Sequence, residues 1–206
     1  SSGGHIVWVA LFPAWRTSLP AALMSIKGWT RLATSISHPP LTWDLTVLLA
    51  TALVRSGQQD LACGCLLAFD CLLRITELLN LCNDDVACPG DLRWKSTLPG
   101  VCLRLKHTKT GKQQWVPVKN AFVTWWLLSI MSKRSSKAKI FMLESSAARS
   151  AFRSAVIEVG LPAAIVPHSL RHGGASALHL AGMSMEDILL RGRWSSVKSA
   201  RTYIKV

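Results

Sequence analysis

The sequence predicts a mainly α-helical domain carrying one small antiparallel β-sheet, an α+β fold. Three observations carry that expectation. Apolar residues recur at helical spacing through most of the chain after Leu41, in segments of helix length bounded by capping residues. Two short segments, VCLRLKH (101–107) and QQWVPV (113–118), alternate as strands do and are joined by TKTGK, with Gly111 for the turn. Half of the 206 residues are apolar, enough for one ordinary domain with a true core.

Taken in order, residues 1–40 hold Pro13, Pro20, Pro39 and Pro40 and a basic piece, SIKGWTRLATSISHPP. Leu19, Leu23, Ile26, Trp29 and Leu32 hint at one helix, but this stretch is too short for an independent core. It reads as the tail of an upstream domain plus a linker ending at His38-Pro39-Pro40. Helices are expected at 43–56 and 58–73, with a break at Arg74 and a short helix at 76–80. Asn83-Asp84 and Pro89-Gly90 signal turns. After the strand pair, helices are expected at 120–131, 145–159, 168–181, 184–191 and 196–205. Gly160 and Gly182 are natural stops, and Ser184 with Asp187 marks a capped start. Residues 41–206 therefore form the main domain.

Composition narrows the function. Lys and Arg number 24 against 11 Asp and Glu, a net charge of +13. Such a field attracts polyanions. No apolar run reaches the ~18 residues needed to span a bilayer, and neither end offers a basic amphipathic helix for a membrane surface. The start, SSGGHIVWVALFPAW, lacks a basic flank and a cleavage site, so it is a poor signal peptide. Cys63, Cys65, Cys71, Cys82, Cys88 and Cys102 form no CxxC pair and have no histidine at finger spacing. They read as reduced thiols in an intracellular protein without metal or cofactor. From Leu92 to Lys139 there are eleven basic residues and no acid, and from Ile188 to Val206 five and again none. Two acid-free blocks suggest one positive face for phosphates, with Arg104, Lys106, Lys112, Arg193, Lys198 and Arg201 as candidate DNA contacts.

Several residues suit chemistry on a phosphate. In PHSLRHGGAS (167–176), His168 and Arg171 are three apart, so they share a helix face near its first turn. A capped histidine and a surface arginine would look the same. In LLRITELLNL (72–81), Arg74 is costly among leucines unless paired, and Glu77 is the evident partner. Lys109 and Lys112 sit at the hairpin tip, where an ammonium could protonate a leaving oxygen. Trp194 offers an indole N–H, and Tyr203, the chain's single tyrosine, follows nine residues later. Two arginines, a lysine, a histidine, an indole and a tyrosine make a coherent set for phosphoryl transfer. A tyrosine nucleophile would keep the bond energy in a covalent phosphotyrosine.

This set, in this order, resembles the tyrosine recombinase, or phage-integrase, family across residues 41–206. The matching positions are Arg74 and Glu77 in LLRITELL, Lys109 in HTKTGKQQWVPV, His168 and Arg171 in HSLRHGGAS, Trp194 in RGRWSS, and Tyr203. The tryptophan position is histidine in most members and tryptophan in a minority. GGAS and GRWSS look more like the recombinases of eukaryotic mobile elements.

The resemblance implies a tyrosine recombinase catalytic-domain fold and cleavage of one strand of double-stranded DNA. Cleavage leaves a 3′-phosphotyrosyl link and a 5′-hydroxyl, and rejoining to another strand follows, without metal or nucleotide. Tyr203 would be the nucleophile, with Arg74, Arg171 and Trp194 on the phosphate. Lys109 would be the general acid and His168 would assist proton transfer. Glu77 and His172 would support them. Residues 1–40 would be a remnant of an amino-terminal DNA-binding (core-binding) domain. The family also implies a homo-oligomer, a tetramer, on DNA, and nuclear residence in a eukaryotic host. Two competing readings use the same residues: a type IB topoisomerase-like or telomere-resolvase-like nicking-closing enzyme, and a relic that only binds DNA.

Overall fold

The computed structural model describes residues 38–91, 100–106 and 114–204. The expectations for residues 1–37 and for the hairpin tip with Lys109 and Lys112 lie outside them. From His38 on the chain is one compact unit. Its described helices are α1 (Trp43–Arg55), α2 (Gln59–Asp70), α3 (Ile75–Leu79), α4 (Ala121–Met131), α5 (Ser145–Glu158), α6 (His168–Leu180), α7 (Met185–Gly192) and α8 (Val197–Arg201). Strands β1 (Val86–Ala87), β2 (Cys102–Leu105) and β3 (Gln114–Pro117) form an antiparallel sheet in that order. The α+β expectation holds.

Local chemistry sets the boundaries. Thr42 caps α1 by accepting from the Leu45 N–H, and Asp44 and Arg55 complement the helix dipole at its two ends. Asn120 caps α4 in the same way, and the Asp70 carboxylate accepts the N–H groups of Lys119 and Asn120 just before it. Ser184 caps α7 through the Asp187 N–H, as its spacing predicts. Gly160 and Gly182 adopt left-handed φ values of 71° and 80° where they stop their helices.

Three elements differ from expectation. α2 stops at Asp70 instead of continuing to residue 73, because Leu72 takes a left-handed φ of 51° and turns the chain toward Arg74. A non-glycine residue there costs roughly 1–2 kcal/mol, so the tertiary structure imposes this turn. Strand β1 is only two residues long, too short to show alternation, and it is held by pairing Val86 with Leu103 and Ala87 with Cys102. The last helix covers 197–201 instead of 196–205 and ends before Tyr203.

α2 is the centre of the core. Every residue from Leu61 to Phe69 is buried, so this helix is apolar on all sides. The thiols of Cys63, Cys65, Cys71 and Cys102 are free and buried, and burial pushes the Cys63 thiol up to about 12. These are inert packing cysteines. A second, smaller apolar cluster gathers Leu72, Ala175, Ile188, Trp194 and Ala200, with Tyr203 and Ile204 against it. α6 serves both clusters: Leu170 belongs to the large one and Ala175 to the small one.

Gly173 and Gly174 make that possible. A Cβ on Gly173 would lie 1.8 Å from the Leu41 carbonyl oxygen, and one on Gly174 would lie 2.2 Å from that of Phe69. Both obstacles are backbone, so neither can swing away. Gly173→Ala and Gly174→Ala should each destabilise the domain by about 3 kcal/mol or more, at the upper end of overpacking costs. Urea melts should show a lower midpoint at unchanged slope; a midpoint within error of wild type would refute the close contact.

Candidate active site

The chain delivers its candidate residues from four places. Arg74 is the residue before α3 and Glu77 lies within it. His168, Arg171 and His172 project from the first turns of α6. Trp194 follows α7 by two residues, and Tyr203 follows α8.

Glu77 accepts from the Arg74 backbone N–H at 2.9 Å and from Arg74 Nη1 at 2.7 Å. Arg193 Nη2 donates to the same carboxylate at 2.9 Å, and Arg171 Nη1 stands 4.0 Å from it. Burial opposes ionisation of Glu77, but Arg193, the Arg74 N–H and Arg171 outweigh it and hold the carboxyl below its usual range. Three guanidiniums thus surround one ionised carboxylate, a cationic surplus that favours an anion.

Arg171 is fully buried. It donates through Nη1 to the Leu72 carbonyl and through Nη2 to the Gly192 carbonyl. Its guanidinium carbon lies 4.6 Å from the Trp194 ring centroid and 5.3 Å from that of Tyr203. Burial, with Arg193 and Arg74 close by, makes its proton easier to remove than an ordinary arginine's. The guanidinium therefore has most to gain from a negative partner.

Tyr203 is boxed by rings. His172 stacks on it at 4.6 Å, Trp194 tilts against it at 4.8 Å, and His168 meets it edge-on at 5.2 Å. His172 Nδ1 lies 3.2 Å from the Tyr203 carbonyl, which can only accept, so Nδ1 carries the proton. Burial, His172, Arg171 and His38 push the His168 imidazole down to about 4, so it is neutral near pH 7. The His38 ring is 6.3 Å from that of His168, a neighbour that sequence spacing did not signal.

Two buried donors in this box have no acceptor among the described residues, Arg171 Nε and Trp194 Nε1. Buried N–H groups are seldom left unpaired, and both belong to side chains at the tyrosine. Trp194 is also locked in place: a Cβ on Gly192 would fall 1.8 Å from its ring, so the indole lies flat on that glycine.

Of the candidate DNA contacts, Lys198 and Arg201 are exposed on α8. Arg104 donates to Asp85 and to the Asp84 carbonyl, and Lys106 pairs with Asp85 at 2.8 Å. Arg193 departs from expectation. It is 7% exposed, and its guanidinium points inward to Glu77 and to the carbonyls of Cys71, Leu72 and Arg191. The reason is its left-handed φ of 59° at the end of α7, which turns its side chain into the protein. An arginine in a basic, acid-free run gave no sign of this; only the glycine before it hinted at a tight turn.

Among the described residues no helix is long and apolar enough to cross a membrane. The fold has solved counterparts. The XerA recombinase superposes with a TM-score of 0.62 at 18% identity, covering 82% of this chain and 60% of that one. The XerH site-specific recombinase bound to its palindromic difH substrate gives 0.64 at 14% identity, over 81% of this chain and 49% of that one. The catalytic domain of bacteriophage HP1 integrase gives 0.61 at 18% identity, over 81% and 86%. The chain thus spans about half to three-fifths of the two Xer proteins and most of the isolated HP1 domain. No curated protein matches the sequence. The model of the phage integrase family matches residues 44–206, from the start of α1 past Tyr203, and the chain belongs to that family.

Proposed function

We propose that this chain is the catalytic domain of a tyrosine recombinase that cleaves and rejoins DNA through a 3′-phosphotyrosyl intermediate in site-specific recombination or integration. The observation that carries the reading is the seat of Tyr203. The chain's single tyrosine is held among His168, His172 and Trp194 and beside a buried arginine, with two unpaired donors next to it. DNA as the partner fits the net charge of +13 and the solved relatives, of which XerH is bound to its difH substrate.

In the proposed reaction the Tyr203 hydroxyl oxygen attacks the scissile phosphorus. A P–O bond to tyrosine forms and the P–O5′ bond breaks. Arg74, Arg171 and the Trp194 indole N–H stabilise the charge on the non-bridging oxygens. The neutral His168 imidazole accepts the tyrosine proton, and Lys109 protonates the departing 5′ oxygen. Rejoining reverses the sequence on another 5′-hydroxyl. Lys198 and Arg201, with Arg104, Lys106 and Lys112, steer the DNA backbone toward the site. The intact residue set favours catalysis over a relic that only binds DNA. Exchange of strands between duplexes separates recombination from topoisomerase-like or telomere-resolvase-like nicking and closing.

Incubation with a nicked suicide duplex in chelator should give a covalent protein–DNA band on a denaturing gel. Tyr203→Phe should abolish the band while DNA retention at low salt persists; a band that survives the substitution removes Tyr203 as nucleophile. Arg171→Lys should slow adduct formation by about 10²–10³-fold, with single-turnover rates as the readout. Lys198→Ala and Arg201→Ala should each weaken binding to any duplex and lower the salt slope by about one.

His168 also makes stability depend on pH. Its imidazole titrates near 6.5 in an unfolded chain and at about 4 here. Between those values the unfolded chain binds the proton more readily. Its contribution is therefore complete above pH 6.5, declines as pH falls to about 4, and is constant below. Urea midpoints measured from pH 7 to 4 should fall, and His168→Gln should flatten that limb; an unchanged limb would show that His168 is not the group responsible.

A further inference from the structure

Among the described residues two non-glycines have a positive φ, Leu72 at 51° and Arg193 at 59°, and they are bonded to each other. Arg193 Nη2 donates to the Leu72 carbonyl at 2.8 Å and to Glu77 Oε2 at 2.9 Å. Its Nη1 donates to the carbonyls of Cys71 at 3.2 Å and Arg191 at 3.0 Å. One guanidinium therefore ties the end of α2, the acid of α3 and the end of α7. The Leu72 carbonyl that it holds is also an anchor of Arg171, and the residue that follows Arg193 is Trp194. Left-handed residues outside glycine persist only where their surroundings over-determine them, and they gather at functional sites.

Resting on the recombinase reading above, we propose that Arg193 is a positioning residue for strand cleavage. It fixes the Glu77 carboxylate and the Leu72 carbonyl so that Arg74, Arg171 and Trp194 keep their places around Tyr203, and it does not touch DNA. Lysine cannot replace it, since an ammonium lacks the planar fork that reaches four acceptors on two sides. Glycine separates the two contributions of this residue. It keeps the left-handed turn without strain and removes the side chain with its guanidinium, whereas lysine keeps the aliphatic stem and a positive charge.

The test compares wild type, Arg193→Gly, Arg193→Lys and Tyr203→Phe. Three quantities are measured: the single-turnover rate of adduct formation, the salt dependence of binding to the same duplex, and the indole N–H resonance of Trp194, assigned with Trp194→Phe. Positioning predicts that Arg193→Gly and Arg193→Lys lose about 10–100-fold in adduct rate, as expected when a supporting group is removed. Their salt slope should equal that of wild type, and the Trp194 resonance should move. A slope lower by about one would make Arg193 a phosphate contact and overturn the proposal. An unchanged rate together with an unmoved resonance would overturn it equally. If wild type forms no adduct dependent on Tyr203, the recombinase reading fails, and the resonance alone decides. Movement in Arg193→Gly upholds the positioning of Trp194, and none refutes it.

Discussion

The Glu77 carboxylate accepts from the Arg74 backbone, the Arg74 side chain and Arg193, with Arg171 4.0 Å away. This one acid makes the cationic half of the site foldable. Three guanidiniums brought together out of water would repel one another, and removing one partner of a buried ion pair typically costs about 3–5 kcal/mol. The single carboxylate offsets enough of that repulsion for the site to form and leaves the rest as attraction for an anion. A second acid would satisfy the arginines and blunt the site. Glu77 also closes the first turn of α3 by capping the Arg74 N–H, so helix start and charge balance rest on the same atoms.

The rest of the architecture brings distant segments to this acid. Gly173 and Gly174 let α6 lie directly on the backbone at Leu41 and Phe69, placing Arg171 deep enough to meet the Leu72 and Gly192 carbonyls. The small apolar cluster of Leu72, Ala175, Ile188, Trp194 and Ala200 then seats the end of the chain, with Tyr203 against it. Ala200 on α8 is fully buried while Lys198 and Arg201 on the same helix are exposed. One short helix thus docks by an alanine and shows its charges to solvent. The tyrosine is located by aromatic packing and by the His172 bond to its carbonyl.

Much of this was legible before any coordinates. Helix positions followed from spacing and caps, and the Arg74–Glu77 pair followed from the cost of an unpaired arginine among leucines. His168 and Arg171, three apart on α6, both lie beside Tyr203; the shared face alone pointed to an anion site and did not name the tyrosine. What stayed hidden was set by long-range contact. The left-handed Leu72 has no local signature, since leucine disfavours that conformation; here two arginines donate to its carbonyl and its side chain is packed in the small apolar cluster. Arg193 looked like a DNA contact because composition shows that a residue is charged but not which way it points. The two-residue strand β1 exists only through its partner β2. Lys109 has its case in the sequence alone, since its loop lies outside the described residues.

The indole of Trp194 lies where a side chain on Gly192 would have to be. The two positions therefore form a single unit of variation. While residue 194 is a tryptophan, residue 192 has no freedom to drift away from glycine. A smaller ring at residue 194 would lift that restriction. Replacements at these two sites should accordingly be inherited together, with the change at 194 opening the path and the change at 192 following it. A lineage that kept the indole would be confined to glycine two residues upstream, however much the exposed faces of α7 and α8 diverged.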